Sequence, residues 1–329
     1  MAKKVEKRYL LPSDYMADPS VHVFDGKLYI YPSHDWDSDA PDDDFGSEYD
    51  MKDYHVLSLE GADPMTSPVV DHGNALDIKD IPWVGRQLWD CDVVKGKDGK
   101  YYMYYPAKDK TDIFRVGVAV SDSPVGPFVP EKDPIRGSYS IDIAVLEDSG
   151  EYYMYFGGIW GGQLQRYENN MAKDCGTSYP ADGQPAIPAR VVKLSEDMLQ
   201  FAEAPRPVVL LDEDGSPIKV EDNERRFFEA AWTFKKDGKY YFTYSTGDTH
   251  KLCYAVGDNP YGPFTYKGVI LTPVVGWTTH HSIVEFSGKW WLFHHDSVPS
   301  KGINRLRSLK VCELEFDENG GIVTVEGID

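Results

Sequence analysis

Cysteine is scarce in this chain. Its four cysteines among 329 residues, Cys91, Cys175, Cys253 and Cys312, are far apart and form no C-x-x-C. No disulfide framework is legible, so free thiols in a reducing compartment are expected. Basic residues are also few. Lys and Arg number 34 against 54 Asp and Glu, a net charge of −20, which argues against nucleic acid or an anionic membrane as partner. No apolar run is long enough to span a bilayer. The opening residues, MAKKVEKRYLLPSDYMADPS, lack the apolar stretch of a signal peptide. The expectation is a soluble, cytoplasmic protein. No Ser/Gly/Pro-rich linker or low-complexity break divides the chain, so residues 1–329 are read as one domain. Nothing in the chain sets an oligomeric state.

What the chain does have is a repeat. Ala17–Asp35 reads as a β-hairpin, with β-rich runs on either side of Asp25-Gly26. Gly accepts the positive φ such a tight turn needs. The same shape recurs at Trp89–Tyr105, Asp142–Phe156, Glu229–Tyr244 and His280–His295. The turn glycines are Gly26, Gly99, Gly150, Gly238 and Gly288, separated by 73, 51, 88 and 50 residues. Recurring β units with variable insertions predict an all-β fold, a five-bladed β-propeller whose hairpins are the inner strands of the blades. Abundant aromatics (22 Tyr, 14 Phe, 8 Trp) suit stacked sheets and sugar contact alike.

Each hairpin is led by a polar residue. Asp18, Asp142 and His280 stand eight residues before their glycine; Asp90 and Glu229 stand nine before theirs. A turn one residue longer would explain the nines. If these residues all begin innermost strands, they ring one end of the central channel. Four acids and a histidine around one axis are electrostatically expensive, which points to function rather than packing. The competing reading is of residues that merely cap turns. Inverting glycoside hydrolysis needs such a set: one protonated carboxyl, and one ionised carboxyl across a gap of about 6.5–9.5 Å that admits water.

Other segments read more simply. The acidic stretch DWDSDAPDDDFGSEYD after Tyr31 lacks the EF-hand register and is expected to be a solvated loop, or else a wall of the site mouth. Trp83–Trp89 reads as a loop and Tyr54–Leu59 as a strand. SDSPVGPF (Ser121–Phe128) and GDNPYGPF (Gly257–Phe264) read as matching turns whose Phe packs inward. Tyr167–Val191 is a long patternless insertion, and Leu194–Phe201 a short capped turn between outer strands.

The ordered set ADPSV, DIAVLED (Asp142–Asp148), the segment Glu229–Ser245, the two GPF turns and H-x-S at His280–Ser282 resembles glycoside hydrolase family 43 over nearly the whole chain. QLWDCDV, NRLRSLKV and the run from Tyr104 to Phe128 are most similar to its β-xylosidase and α-L-arabinofuranosidase members. Two departures stand out: the family's usual W-A-P is Trp89-Asp90-Cys91, and its usual E-G-P is Glu229-Ala230-Ala231. The resemblance implies that Asp18 is the general base, Glu229 the general acid, and Asp142 the carboxylate that orients the acid and raises its pKa. It implies that Arg307 contacts the terminal sugar, the alternative being a surface arginine. Trp89 is read either as a sugar platform or as packing, and Asp90 either as a loop or as a subsite residue.

His280 and His281 should face opposite sides of a strand, and H-x-S puts His280 inside. There the family often holds Ca2+ through one His and waters; a water-bound His supporting Asp142 or Glu229 is the other reading. No organic cofactor is implied. No second His or Cys arrives with the spacing of a tetrahedral zinc site. His294-His295 is read as structural or at the rim. The expected substrate is a small xylan- or arabinan-derived oligosaccharide, cleaved in exo mode by a cytoplasmic enzyme. A non-catalytic carbohydrate-binding propeller remains open, though crowded like charges gain binding little. So does another five-bladed enzyme, an endo-arabinanase, fructan hydrolase or mannoside phosphorylase, although the basic cluster a phosphorylase needs is not evident.

Overall fold

The computed structural model describes residues 2–173 and 179–328; the reading of Cys175 as a free thiol falls outside them. Five sheets, antiparallel except where the short strand Leu210–Leu211 runs parallel to Phe264–Leu271, form the blades of a β-propeller. Blade I runs Met16–Phe24, Lys27–His34, Asp53–Leu59 and Val69–Asp77 from the axis outward; blade V begins with His281–Phe286 and Lys289–Asp296. Between them, the inner strands are Asp92–Lys95 (blade II), Ala144–Asp148 (blade III) and Glu229–Lys236 (blade IV). Each inner strand packs on the next, and that of blade V returns to that of blade I. Arg8–Tyr9 adds an outer strand to blade V beside Ser308–Leu314, closing the ring.

The apolar core lies between blades rather than at the axis. Val21, Leu28 and Leu57 meet Trp291, Phe293 and Val311 between blades I and V. Tyr31, Tyr54 and Val56 meet Val93, Tyr101 and Met103 between blades I and II. The tyrosines bury their rings and send a hydroxyl to a neighbouring blade or loop, where polar tips find partners. Tyr54 donates to Trp89 O (2.5 Å), Tyr104 to Met198 O (2.8 Å) and Tyr155 to Pro260 O (2.6 Å).

The hairpin turns follow the glycines. Asp25-Gly26, Ser149-Gly150, Asp237-Gly238 and Ser287-Gly288 all have two successive positive φ values, as a type I′ turn requires. Blade II alone has the longer loop, with Lys95 paired to Tyr101 and Gly96 N–H donating to Lys100 O. The longer turn thus explains Asp90 but not Glu229. In blade IV the β-bulge between Glu229 and Trp232 matches that of blade I between Ala17 and Ser20, and Glu229 stands one position earlier, opposite Ser245 as Ala17 stands opposite Ser33. Ala230, not Glu229, therefore occupies the place that Asp18 and Asp142 hold.

Several local expectations hold. Phe128 and Phe264 are buried after matching Pro/Gly turns. Leu194 and Phe201 bridge across their turn. Others do not. Trp83–Trp89 is no loop: Val84–Leu88 pairs with Tyr101–Asp109 through irregular register. The patternless insertion carries a small hairpin, Tyr167–Glu168 with Met171–Ala172.

Candidate active site

The five leading residues do converge. Asp18, Asp90, Asp142, Glu229 and His280 all line one cavity of about 550 Å³ at the axis. Asp90, Asp142 and His280 stand just before their strands, whereas Asp18 sits in a β-bulge of Met16–Phe24. Asp18 (φ 47°), Asp142 (φ 59°) and Ala230 (φ 61°) take left-handed backbone conformations. For residues with a Cβ this is strained, of order 1–3 kcal/mol each, and such strain concentrates at functional sites.

The strain frees backbone N–H groups from the sheet ladder, and carboxylates collect them. Asp90 accepts from Asp142 N (3.0 Å) and Ile143 N (2.7 Å). Asp142 in turn accepts from Ala230 N (2.5 Å). Asp90 in blade II thus fixes the start of blade III, which fixes the residue after Glu229 in blade IV. Below them Asp92, fully buried, accepts from Val145 N (2.6 Å) and Val93 N (2.8 Å) and binds Ser20 Oγ of blade I. The sequence reading passed over Asp92, although D-x-D after Trp89 was its visible signal.

The charges are unequal in consequence. Burial pushes Asp18 up, but the Arg307 guanidinium, 2.8 Å away, together with smaller contributions from other neighbours, outweighs it and holds Asp18 at about 2. Glu229, partly open to the cavity, is pushed well above the usual range by burial and then by Asp142 and Asp18. Asp142 is raised too, mainly by burial, against the stabilising charge of His280 and the Ala230 N–H. Asp90 is raised well above its ordinary value by burial, Asp142 and Asp18. One cavity therefore holds an ionised carboxylate and a protonated carboxyl at the same pH.

Arg307 is no surface arginine. Its side chain is 4% exposed, bonded to Asp18 and, through Nη2 and Nε, to Asp35 at 2.7 and 2.9 Å. It also lies against the Tyr49 ring and lines the cavity. Trp89 lines the cavity as well, yet most of its indole is packed. Its Nε1–H donates to Tyr49 O (2.9 Å), and its ring meets Phe114 at 4.7 Å. Packing therefore fixes the indole, with an edge left on the cavity. Asp90 stands in the short connection between Val84–Leu88 and Asp92–Lys95, buried at the cavity.

The acidic stretch needs a correction. It is not simply solvated: Asp35 is buried against Arg307, and Asp42, Asp43, Asp44, Glu48 and Tyr49 wall the cavity. His295 is likewise not at the rim. It is buried under Asp18, whose N–H it accepts at Nδ1 (3.1 Å). An accepting Nδ1 means an unprotonated one, in keeping with burial holding His295 down at about 3.

Ligand atoms of Asp90, Asp142 and His280 lie within 4.8 Å of one another. His280 Nδ1 is contacted by the His281 N–H at 2.8 Å, and its buried Nε2 has no partner among the described residues. An orphaned ring nitrogen beside two carboxylates fits a divalent cation better than an apolar plug.

A propeller whose axis carries carboxylates of opposed proton affinity is a glycosidase architecture. The glycosyl hydrolases family 43 model matches residues 14–322, and the chain belongs to that family; it is a glycoside hydrolase. It is 67% identical over 327 residues to a xylosidase/arabinosidase of Bacteroides ovatus, covering 99% of each chain. A β-xylosidase of Xylanibacter ruminicola is 62% identical, with 98% of this chain and 100% of the relative covered. Among solved structures, RS223-β-xylosidase superposes with a TM-score of 0.96 at 62% identity, covering 98% and 99%. A family 43 β-xylosidase/α-arabinofuranosidase from a compost microbial metagenome, solved with xylotriose in calcium-free form, gives 0.94 at 58%, covering 99% and 98%.

Proposed function

We propose that this enzyme removes terminal β-D-xylose, and α-L-arabinofuranose in the same pocket, from short xylan- or arabinan-derived oligosaccharides, with inversion. The observation that carries this is the divergence of two acids in one cavity, Asp18 held at about 2 and Glu229 pushed well up. In this reading Asp18 takes a proton from water, and Glu229 gives one to the leaving oxygen. Asp142 orients Glu229 by gripping the next residue's N–H, and its charge keeps Glu229 protonated. Arg307 positions Asp18 and reaches the terminal sugar; the exposed edge of Trp89 meets the sugar face. The relatives named xylosidase support the substrate class, as does the xylotriose bound to the metagenomic enzyme. Loop residues Asp43, Glu48, Gly161 and Trp277 ringing the cavity favour exo cleavage.

His280 and Asp90 would hold a Ca2+, with waters completing its shell, and the calcium-free designation of one relative agrees. When bound, the ion would offset carboxylate charge at the cavity floor. Assay of nitrophenyl β-xyloside and α-arabinofuranoside tests the reading. Turnover of either, lost in Asp18→Ala, supports it. Tight binding of xylo-oligosaccharides with no cleavage would instead favour a binding propeller.

A further inference from the structure

A second cluster lies on blade I, away from the five residues at the axis. We propose that His34, Asp53 and His55 form a binding site for a borderline transition-metal dication of the Zn2+ or Co2+ type. His34 ends the second strand of the blade, and Asp53 and His55 open the third. The two imidazole rings stand 4.6 Å apart. His34 Nδ1 is 2.8 Å from Asp53 Oδ1, and His55 Nε2 is 3.6 Å from Asp53 Oδ2. One ligand atom from each residue falls within 4.8 Å of the others. Side-chain exposures of 15%, 9% and 16% leave the group reachable from solvent without being loose.

The independent support is in the outer ring nitrogens. His34 Nε2 faces Asp14 at 3.5 Å, and His55 Nδ1 faces both oxygens of Asp71 at 3.1 Å. Each histidine thus has one nitrogen turned to the shared centre and the other toward a carboxylate, hydrogen-bonded in His55 and at longer ion-pair distance in His34. This is the carboxylate–histidine–metal arrangement, which fixes the tautomer and raises the basicity of the inner nitrogen. Asp53 is braced in turn by Trp36 Nε1 (2.9 Å) and Asn74 Nδ2 (3.2 Å). Two imidazoles and one carboxylate with open positions select zinc-like ions over calcium, which wants six to eight oxygens. The site also closes the foot of the acidic loop. Asp35 anchors one end of that loop on Arg307, and Asp53 anchors the other. A cation here would act on the cavity wall, not on the reacting atoms.

The test uses the full, untagged chain, stripped with chelator and titrated with Co2+. The visible d–d absorption of a nitrogen-ligated Co2+ is expected at one equivalent. It should disappear in His34→Gln and in His55→Gln and persist in His280→Gln. Asp71→Asn should weaken Co2+ binding by about 10–100-fold. Unchanged glycosidase activity of the His55→Gln protein, assayed without added metal, shows that it is folded. Absence of the band in wild type, its survival in both histidine variants, or its loss in His280→Gln alone overturns the proposal. Should His55→Gln not fold, Asp71→Asn decides: an affinity equal to wild type overturns the site.

Discussion

Arg307 Nη1 lies 2.8 Å from Asp18 Oδ1 while Nη2 and Nε of the same guanidinium are taken by Asp35. The arginine is therefore fixed by one carboxylate and offered to the other. The planar fork does both at once, which a lysine cannot. In Arg307→Lys the charge remains but the fork is lost, so Asp18 should rise from about 2 toward its ordinary value. The acid limb of kcat/KM against pH should move upward, and kcat should fall by about 10²–10⁴. An unmoved acid limb would separate Arg307 from the base.

The same pair sets a stability term. Asp18 has a depressed folded pKa, so its contribution is present above about pH 4 and is lost as pH falls through about 2. Arg307→Ala removes this and leaves Asp35 buried without its cation. Breaking a buried pair in this way costs about 3–5 kcal/mol. Urea unfolding at pH 7 measures it. A loss below about 1 kcal/mol, the scale of an exposed pair, contradicts the description.

Glu229→Gln removes the proton donor but little of the shape. Xylobiose, with its poor leaving group, should lose about 10²–10⁴ in kcat. Nitrophenyl xyloside, which needs less protonation, should lose less. Equal losses on both substrates would place Glu229 in binding rather than in proton transfer.

Asp142→Asn separates position from charge. The amide oxygen still accepts the Ala230 N–H, but the negative charge that raises Glu229 is gone. Glu229 should then ionise at lower pH, and the alkaline limb should shift down. In Asp142→Ala, where the grip on Ala230 is lost as well, kcat should fall further. An alkaline limb that stays in place in Asp142→Asn would show that burial and Asp18, without Asp142, set Glu229.

Packing between blades can be tested apart from chemistry. Phe242 is fully buried among Tyr155, Tyr244 and Phe264. Phe242→Ala should cost about 3–5 kcal/mol in denaturant unfolding, with pH limbs unchanged. A cost under about 1 kcal/mol would mean that this inter-blade core repacks freely.

The blades were legible because Asp-Gly and Ser-Gly turns carry a local steric requirement, visible wherever Gly26, Gly150, Gly238 or Gly288 occurs. Asp18, Asp90, Asp142, Glu229 and His280 were legible because register from each turn is nearly constant. What was hidden was long-range. Asp35 meets Arg307 across 272 residues, and His295 reaches Asp18 across 277; no spacing rule links them. The carboxylate that takes up the Ala230 N–H, Asp142, likewise belongs to another blade. Trp83–Trp89 was misread because its pairing with Tyr101–Asp109 skips residues, which blurs the alternation that marks a strand.

The most direct test of the paired acids is proton NMR of xylobiose cleavage, following the first anomer to form before mutarotation. Water activated by Asp18 opposite a proton from Glu229 predicts α-xylose first, from a β-linked substrate. β-Xylose appearing first would mean retention, and a nucleophile where a base and its water are argued to be.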